Sequence, residues 1–288
     1  MAQLVNEDYP KQDKPVSDSQ LKKIAEAQFK AEKASKADEP KDFPTEIVEL
    51  PSKGKFYPAG HPLATGQIEM KYMTAKEEDI LTNQSFIKSG VVLDKLFQSL
   101  IVTPINYNDL LLGDKNAIMI AARVLGYGKD YEITVSDDQG NAQKESIDLT
   151  QLEDKQIDWA RFDKDDAFDF ELPVSKRTVT IQHLTHGIQK KIDAELKGLK
   201  KLKKAPAELT TRLKYTIVGV DGKDDNATIR KFVDNELLAI DSRALRKFIE
   251  SITPDINLKV DCLSEETGDS FRSNINVGLD FFWPDLGI

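Results

Sequence analysis

The same succession of predicted elements occurs twice along the chain, and this duplication constrains the fold more than any other feature. Each copy begins with a strand, a threonine and a helix, continues with an apolar helix that carries an internal aspartate, and ends with a strand, a turn and a strand. The first copy covers about 46–150 and the second about 171–283. A duplicated unit predicts a pseudo-symmetric scaffold with two related faces, and it argues against an enzyme with a single active site.

Four polar residues occupy matching places in the two copies. Thr74 and Thr185 each stand between a strand and a helix, and Glu77 completes a capping-box pattern with Thr74. Asp114 in LLLGDKNAI and Asp241 in LLAIDSRAL each interrupt the start of an apolar helix. A pair of carboxylates can act as acid and base, but a repeated position favours a structural role. We predict that all four residues are structural and that each aspartate caps the helix that follows it.

The fold class predicted from these patterns is α+β, with two related helix-plus-β-hairpin blocks. Residues 1–45 are charged and contain several prolines and one marginal amphipathic helix, so they are predicted to form a flexible tail. The first block covers 46–150, an acidic linker with interleaved aromatic residues covers 151–170, and the second block covers 171–288. The length allows one large domain or two smaller ones, each with its own core.

Charge and cysteine content exclude several classes of protein. The net charge is −9, whereas a protein that coats duplex nucleic acid is normally basic. A single cysteine, Cys262, excludes an intrachain disulfide and a zinc site built from cysteines alone. The first residues lack the pattern of a signal peptide, and no apolar stretch is long enough to span a bilayer, so a cytosolic protein is expected.

The motif search predicts neither an enzyme nor a bound cofactor. The sequence contains no Walker loop, no GxGxxG motif and no GxSxG motif. His183 and His186 in HLTH have a spacing that suits a shared metal ion, but a zinc site needs three or four ligands and no third His or Cys lies nearby. Cys262 alternates with Leu258 and Val260 in a predicted strand, which indicates an inward-facing apolar residue and not a nucleophile.

A lysine-rich helix, residues 190–204, allows two interpretations. Its apolar residues fall on one face, which is typical of a helix packed on a core, and its lysines cover the other faces. Such a helix can also contact nucleic acid or a membrane surface, but it has no aromatic residue to stack on bases. We favour packing with solvated lysines, because the whole protein is acidic. The apolar stripe consists of Ile188, Ile192, Leu196 and Leu199.

The chain ends on a cluster of large aromatic residues, although chain termini usually fray. The cluster consists of Phe281, Phe282 and Trp283, followed by Pro284. Either these residues complete a core, or they form an anchor that binds a partner protein, since aromatic residues dominate both settings. We predict partner binding for all four residues, through an anchor that closes the second block and extends into a partner surface.

Five short segments follow one another in the chain: ELPSKGKFYP, MTAKEEDIL, LLLGDKNAIMIAARVLGYG, LLAIDSRALRKFI and FFWPD. In this order they resemble the baseplate hub assembly family of T-even-type contractile-tailed phages, over about 46–288. The resemblance implies participation in building the central hub of the tail baseplate, with no enzyme activity. In that family the strand–turn–strand units often look like zinc-ribbon knuckles with paired cysteines. Here only Cys262 remains, so we expect plain hairpins without metal.

Three functions are compatible with these features. In the first, the protein is a structural component of the hub, and its partners are other baseplate or tail proteins or further copies of itself. In the second, it is a chaperone that holds hub or tape-measure subunits and then leaves the particle. In the third, it binds nucleic acid through the lysine-rich helix. The first two place the protein in the host cytoplasm during assembly or in the tail baseplate of the virion, with no membrane partner.

Overall fold

The computed structural model describes residues 43–137, 139–203 and 205–282. In these residues the chain is a mixed α+β protein whose strands form small antiparallel sheets. The α+β fold class predicted from the sequence is therefore confirmed. The predicted tail, residues 1–45, lies almost wholly outside the described residues, so its flexibility stays a prediction.

Nine strands and eight α-helices follow one another in the part of the chain that the structure describes. The strands are β1 (Thr45–Glu49), β2 (Gln67–Lys71), β3 (Asp130–Ser136), β4 (Ala142–Asp148), β5 (Asp169–Glu171), β6 (Thr178–Ile181), β7 (Ile217–Val220), β8 (Lys259–Leu263) and β9 (Ser270–Asn274). The helices are α1 (Ala75–Leu81), α2 (Gln84–Ser89), α3 (Val92–Leu100), α4 (Leu112–Tyr127), α5 (His186–Lys201), α6 (Glu208–Thr216), α7 (Asn226–Lys231) and α8 (Ala239–Ile252).

All strand pairs are antiparallel and join strands that are close in the chain. β1 pairs with β2, β3 with β4 and β8 with β9, while β6 lies between β5 and β7. In β2, Ile68 and Met70 are buried and the residues between them are not, which matches their alternation in the sequence. β2 therefore presents one apolar face, and that face packs in the first core.

The interior contains two main hydrophobic clusters. The first core combines residues of β1, β2, α1, α3, α4 and the β3–β4 hairpin with residues near the C-terminal end. The second core is built from β5, β6 and β7 with α6, α7 and α8. The predicted second block, 171–288, is thus divided in space. Its part up to Ile252 forms the second core, whereas Ile256, Leu258 and Ile275 pack against the first core.

The two predicted hairpins, β3–β4 and β8–β9, lie side by side. Gly140 and Gly268 occupy their turns with φ angles of +89° and +73°, a conformation that glycine adopts without steric cost. The turns are joined by a 2.9 Å hydrogen bond from Ser264 Oγ to Asp137 Oδ2. A small apolar cluster between the hairpins consists of Val135, Cys262 and Phe271.

Candidate functional site

Asp114, in the first turn of α4, fastens the segment that follows β1. Its carboxylate accepts hydrogen bonds from the backbone N–H of Ser52 at 3.0 Å, from Ser52 Oγ at 2.7 Å and from the Tyr57 hydroxyl at 2.6 Å. All three residues are buried. Burial raises the pKa of Asp114, and the hydrogen bonds from Tyr57 and Ser52 oppose that shift. The carboxylate therefore holds the turn after β1 against the start of α4.

Asp241, in the first turn of α8, makes the matching contact in the second block. Its carboxylate accepts hydrogen bonds from the backbone N–H of Val174 at 2.8 Å and of Ser175 at 3.0 Å. Burial acts to raise the pKa of Asp241, but the hydrogen bonds from Val174 and Ser175 together hold it below its ordinary value. The bound turn follows β5, just as the turn bound by Asp114 follows β1.

The prediction that each aspartate caps the helix that follows it is wrong. Leu111 and Leu238 occupy the N-cap positions of α4 and α8, and neither makes a side-chain cap. Asp114 and Asp241 lie inside the first turn of these helices, from where each carboxylate reaches the N–H groups of another segment. Their negative charge still lies near the helix N-terminus, which the helix dipole favours.

A repeated tripeptide marks the partners of the two aspartates, and our sequence analysis missed it. Glu-Leu-Pro occurs at 49–51 and again at 171–173, and each copy directly precedes the residues that an aspartate binds. Lys53 and Lys176 follow within the same turns and have φ angles of +51° and +57°. Such a conformation is uncommon for a residue with a side chain. The two turns are therefore alike in backbone geometry as well as in sequence.

Thr74 and Thr185 each begin a helix. Thr74 is the N-cap of α1, and the Glu77 carboxylate accepts hydrogen bonds from its N–H at 3.0 Å and from its hydroxyl at 2.6 Å. Burial acts to raise the pKa of Glu77, but donation from Lys71, Thr74 and Ser99 together lowers it to about 2. Thr185 is the N-cap of α5, and its hydroxyl accepts a hydrogen bond from the first turn of that helix.

The segment before α4 joins the two cores. We call Leu110–Leu112 the leucine loop of the first block, and Leu184–His186 the threonine corner of the second block. Backbone hydrogen bonds of 2.8 and 3.1 Å connect the loop to the corner, with Leu111 facing Thr185 in an antiparallel bridge. The loop is largely buried in this contact. This short backbone pairing is one of the contacts between the first block and the second.

The aromatic residues near the C-terminal end complete the first core. Phe281 and Phe282 are 0% and 1% exposed. The ring centroid of Phe281 lies 4.8 Å from that of Tyr131, and the centroid of Phe282 lies 6.4 Å from that of Phe97. Arg123 Nε donates a 3.2 Å hydrogen bond to the Phe281 carbonyl oxygen. This segment is therefore held by ring packing and by a charged donor at once.

This burial corrects the prediction for two of the four residues of the aromatic anchor. Phe281 and Phe282 cannot reach a partner surface in the folded chain, because neighbouring side chains enclose them. They close the first core, and not the second block as we expected. Trp283 and Pro284 lie outside the described residues, so partner binding by these two stays a prediction.

His183 and His186 face different surroundings and do not share a site. His183 lies among three phenylalanine rings, and burial lowers its pKa to about 4. The Nε2 atom of His186 lies 3.4 Å from an Asp94 carboxylate oxygen. Within residues 43–137, 139–203 and 205–282, no group of three or more His, Cys, Asp or Glu side chains could hold a metal ion.

The lysine-rich helix corresponds to α5 and the residues that follow it up to Lys203, since Lys204 is not among the described residues. Of its apolar stripe, Ile192 is buried and Ile188, Leu196 and Leu199 are half-buried. The described lysines of this segment are exposed. The helix therefore packs by its stripe and presents its positive charge to solvent.

Comparison with known proteins returns no match. No model of a protein family matches the chain, and neither does any curated protein or any solved structure. None of the helices among the described residues is both long and apolar enough to cross a membrane. The fold and its contacts define an α+β scaffold with two cores, in which paired aspartates hold two turns of like geometry.

Proposed function

We propose that this chain is a structural or assembly component of the baseplate hub of a contractile phage tail, and that it has no catalytic activity. One observation supports this proposal: four of the five segments that carry the family resemblance meet at α4, and the fifth ends just before the residues that contact this helix. Segments that together define one folding unit are expected to meet.

Three of these segments converge on a fourth, LLLGDKNAIMIAARVLGYG, which contains α4. ELPSKGKFYP is bound through the Asp114 carboxylate. MTAKEEDIL reaches α4 where Met73 lies against Gly126, so closely that a Cβ on this glycine would lie 2.9 Å from Met73 Cε. FFWPD joins α4 through the hydrogen bond between Arg123 and Phe281.

The remaining segment, LLAIDSRALRKFI, forms most of α8 and reaches α4 through the residues that follow it. A Cβ on Gly113 would lie 1.9 Å from the Pro254 carbonyl oxygen, so only glycine permits this approach. Asn116 Nδ2 donates a 2.8 Å hydrogen bond to the Asp255 carboxylate. Four of the five segments therefore meet at α4, and the fifth ends a few residues before Pro254 and Asp255, which contact α4.

We infer further that the chain is an internally duplicated scaffold. The order of strand, threonine-capped helix, aspartate-bearing helix and hairpin occurs twice. The aspartate contacts support this inference most strongly, because Asp114 and Asp241 bind turns whose Lys53 and Lys176 share an uncommon positive φ angle. A duplicated scaffold suits an assembly role.

We also infer that the paired hairpins form a zinc-ribbon-like unit that works without metal. Three hydrogen bonds support this inference by joining the two hairpins at or beside their turns: Ser264 Oγ to Asp137 at 2.9 Å, Gln143 Nε2 to the Leu263 carbonyl at 2.6 Å, and Glu265 N–H to Gln143 at 3.0 Å. In a zinc ribbon a metal ion and its cysteines connect the turns. Here neutral and charged side chains make that connection directly.

Quantitative mass spectrometry of purified phage particles, beside the lysate of infected cells, tests the proposed function. A structural component appears in particles at a fixed small ratio to the other tail proteins, and a major tail protein supplies the reference. A chain that is abundant in the lysate but missing from particles is an assembly chaperone, located in the host cytoplasm. A chain that neither enters particles nor co-purifies with unassembled tail proteins contradicts both versions.

The exposed lysines of α5 favour a second candidate function, binding to nucleic acid. Heparin chromatography tests it, with a variant in which Lys197, Lys200 and Lys201 are replaced by glutamine as the matched control. Retention that is lost with modest salt and in the variant supports nucleic-acid binding. Passage of the natural chain through the column at low salt contradicts it, and the net charge of −9 favours that outcome.

A further inference from the structure

The contact between the leucine loop of the first block and the threonine corner of the second block has no reciprocal counterpart. The matching segments are Leu237–Ala239, the leucine loop of the second block, and Met73–Ala75, the threonine corner of the first block. In the described chain no backbone hydrogen bond or bridge joins these two segments. If a two-fold axis related the two blocks, the leucine loop of each block would contact the threonine corner of the other. The internal contact is therefore of the head-to-tail kind.

Burial follows the same asymmetry. In the contact that forms, Leu111 of the loop and His186 of the corner are buried. In the second leucine loop, Leu238 is 46% exposed, and Ile240, just after it, is 66% exposed. Thr74, in the matching corner, is exposed as well. The leucine loop of the second block and the threonine corner of the first block are therefore exposed and are not paired with each other.

We propose that the protein associates head to tail with copies of itself, through the leucine loop of the second block in one copy and the threonine corner of the first block in the next. Such a contact repeats between molecules the pairing that already joins the two blocks within one chain. A head-to-tail contact closes into a ring or continues as a filament, depending on the rotation between copies. The proposal does not rest on the proposed function in a phage tail.

Two features favour a second copy of the chain as the partner of these exposed segments. The internal contact uses backbone hydrogen bonds, which any pair of matching segments can form whatever their side chains. The first threonine corner also has exposed aromatic residues nearby: Tyr72 precedes it, and Tyr127 follows Gly126, which touches Met73 of the corner. These rings offer an apolar surface to Leu238 and Ile240 of the next molecule.

At one point the backbones of two copies have to lie farther apart than the backbones of the two blocks do in the internal contact. Gly113 permits the carbonyl oxygen of Pro254 to come within 1.9 Å of its ideal Cβ position. Ile240 stands at the place in the second block that matches Gly113, and Tyr127 stands at the place in the first block that matches Pro254. An isoleucine facing a tyrosine replaces a close backbone approach with side-chain packing.

The contact between copies differs from the internal contact at a second point, where a charged residue takes the place of a closely packed glycine. Gly187 lies near Asn108 in the internal contact, where a Cβ on this glycine would be 3.0 Å from the Asn108 carbonyl oxygen. Lys76 stands at the place that matches Gly187, and it would face a π-helical turn that carries Asp234 and Glu236. Both carboxylates already form ion pairs within the chain, so Lys76 would join existing pairs. An ammonium group beside these carboxylates favours the contact modestly, because exposed ion pairs contribute little. We therefore expect self-association at high protein concentration.

Disulfide cross-linking between two single-cysteine chains tests the proposal. Cys262→Ser removes the natural thiol, and one chain then carries Leu238→Cys while the other carries Thr74→Cys. Antiparallel bridge positions bring the two Cβ atoms close enough for a disulfide. With oxidised glutathione, the mixture is expected to yield a covalent dimer of doubled mass. Neither variant alone is expected to do so, because a loop does not meet a loop in a head-to-tail contact.

A matched control replaces Leu238→Cys by Leu263→Cys, since Leu263 is an exposed leucine on β8 outside the proposed surface. Equal cross-linking in the two mixtures, or none in either, overturns the proposal. Sedimentation of the natural full-length chain gives a second readout. Its mean mass is expected to rise with concentration, and Leu238→Glu is expected to abolish the rise without unfolding the chain. A natural chain that stays monomeric at every concentration also overturns it.

Discussion

The Tyr57 hydroxyl donates a 2.6 Å hydrogen bond to Asp114, and its oxygen accepts a 3.1 Å hydrogen bond from the N–H of Leu111. One buried phenol thus connects the turn after β1 with the leucine loop of the first block. Burial raises the pKa of Tyr57 far above its ordinary value, and the nearby charge of Asp114 acts in the same direction. The hydroxyl is therefore protonated and acts as a donor at neutral pH.

Asp114→Asn is expected to lower the free energy of unfolding by about 2 to 3 kcal/mol, because hydrogen bonds to a buried charged group contribute about that much. The new amide group would turn a donor towards the donors of Ser52 or Tyr57. Tyr57→Phe is expected to cost about 1 to 2 kcal/mol, since it also leaves the Leu111 N–H without its acceptor. Urea denaturation of the full-length variants measures both changes.

The double variant provides the control for that prediction. Asp114 and Tyr57 share one hydrogen bond, so the combined loss should be smaller than the sum of the two single losses. Strictly additive losses would show that the bond contributes nothing of its own to stability. Equal stability of Asp114→Asn and the natural chain would contradict the structural role of this carboxylate.

Glu77 makes the stability of the first block depend on pH. Its pKa in the folded chain is about 2, below the ordinary value of 4.5, so its ionised form stabilises the fold above pH 4.5. That stabilisation is lost as the pH falls through about 2. Denaturation at several pH values is expected to show Glu77→Gln less stable than the natural chain near neutrality, by about 1 to 2 kcal/mol.

The pH dependence distinguishes a titrating group from a merely packed one. The deficit of Glu77→Gln should shrink as the pH is lowered from 5 towards 2, because over this range the carboxyl takes up a proton in the unfolded chain while it stays ionised in the folded one. Glu266→Gln is the matched control, since Glu266 is exposed in the β8–β9 turn. A deficit that is the same at every pH would mean that the charge of Glu77 contributes nothing.

Phe282→Ala is expected to lower the free energy of unfolding by about 3 to 5 kcal/mol, the usual cost of truncating a buried phenylalanine. Phe281→Ala should cost a similar amount, because its ring is equally buried. Leu263→Ala, at an exposed position, is the control and should change stability by less than about 0.5 kcal/mol. A stable Phe282→Ala variant that had lost only a partner would restore the anchor interpretation for this residue.

Local features of the fold were predictable because their causes lie within a few residues. The alternation of Ile68 and Met70 indicated β2, Thr74 with Glu77 indicated the start of α1, and the turn at Gly140 indicated a hairpin. Each of these signals depends on backbone geometry or on a side chain that reaches only its own turn. No distant contact had to be known.

The aspartate contacts and the aromatic end were not predictable in the same way. Asp114 lies 62 residues from Ser52, and its local sequence fits a helix cap as well as a tertiary hydrogen bond. Phe281 and Phe282 are residues that are common both in hydrophobic cores and in the anchors of protein interfaces. Only the docking of the C-terminal residues on the first core, through long-range packing, decides between the two roles.

The thiol of Cys262 reports whether the two hairpins stay together, because it lies in the apolar cluster between them. Burial raises its pKa, so a disulfide reagent reacts with it only after local opening. Asp137→Ala removes the hydrogen bond from Ser264, together with those from Gln139 and Asn141 within the β3–β4 turn. It should speed the reaction by about tenfold, the effect of about 1.4 kcal/mol on the opening equilibrium. Ser136→Ala, at the exposed neighbouring position in β3, is the control and should leave the rate unchanged. Equal rates in the two variants would mean that the contact between the turns does not hold the hairpins together, and the zinc-ribbon-like interpretation would lose its main support.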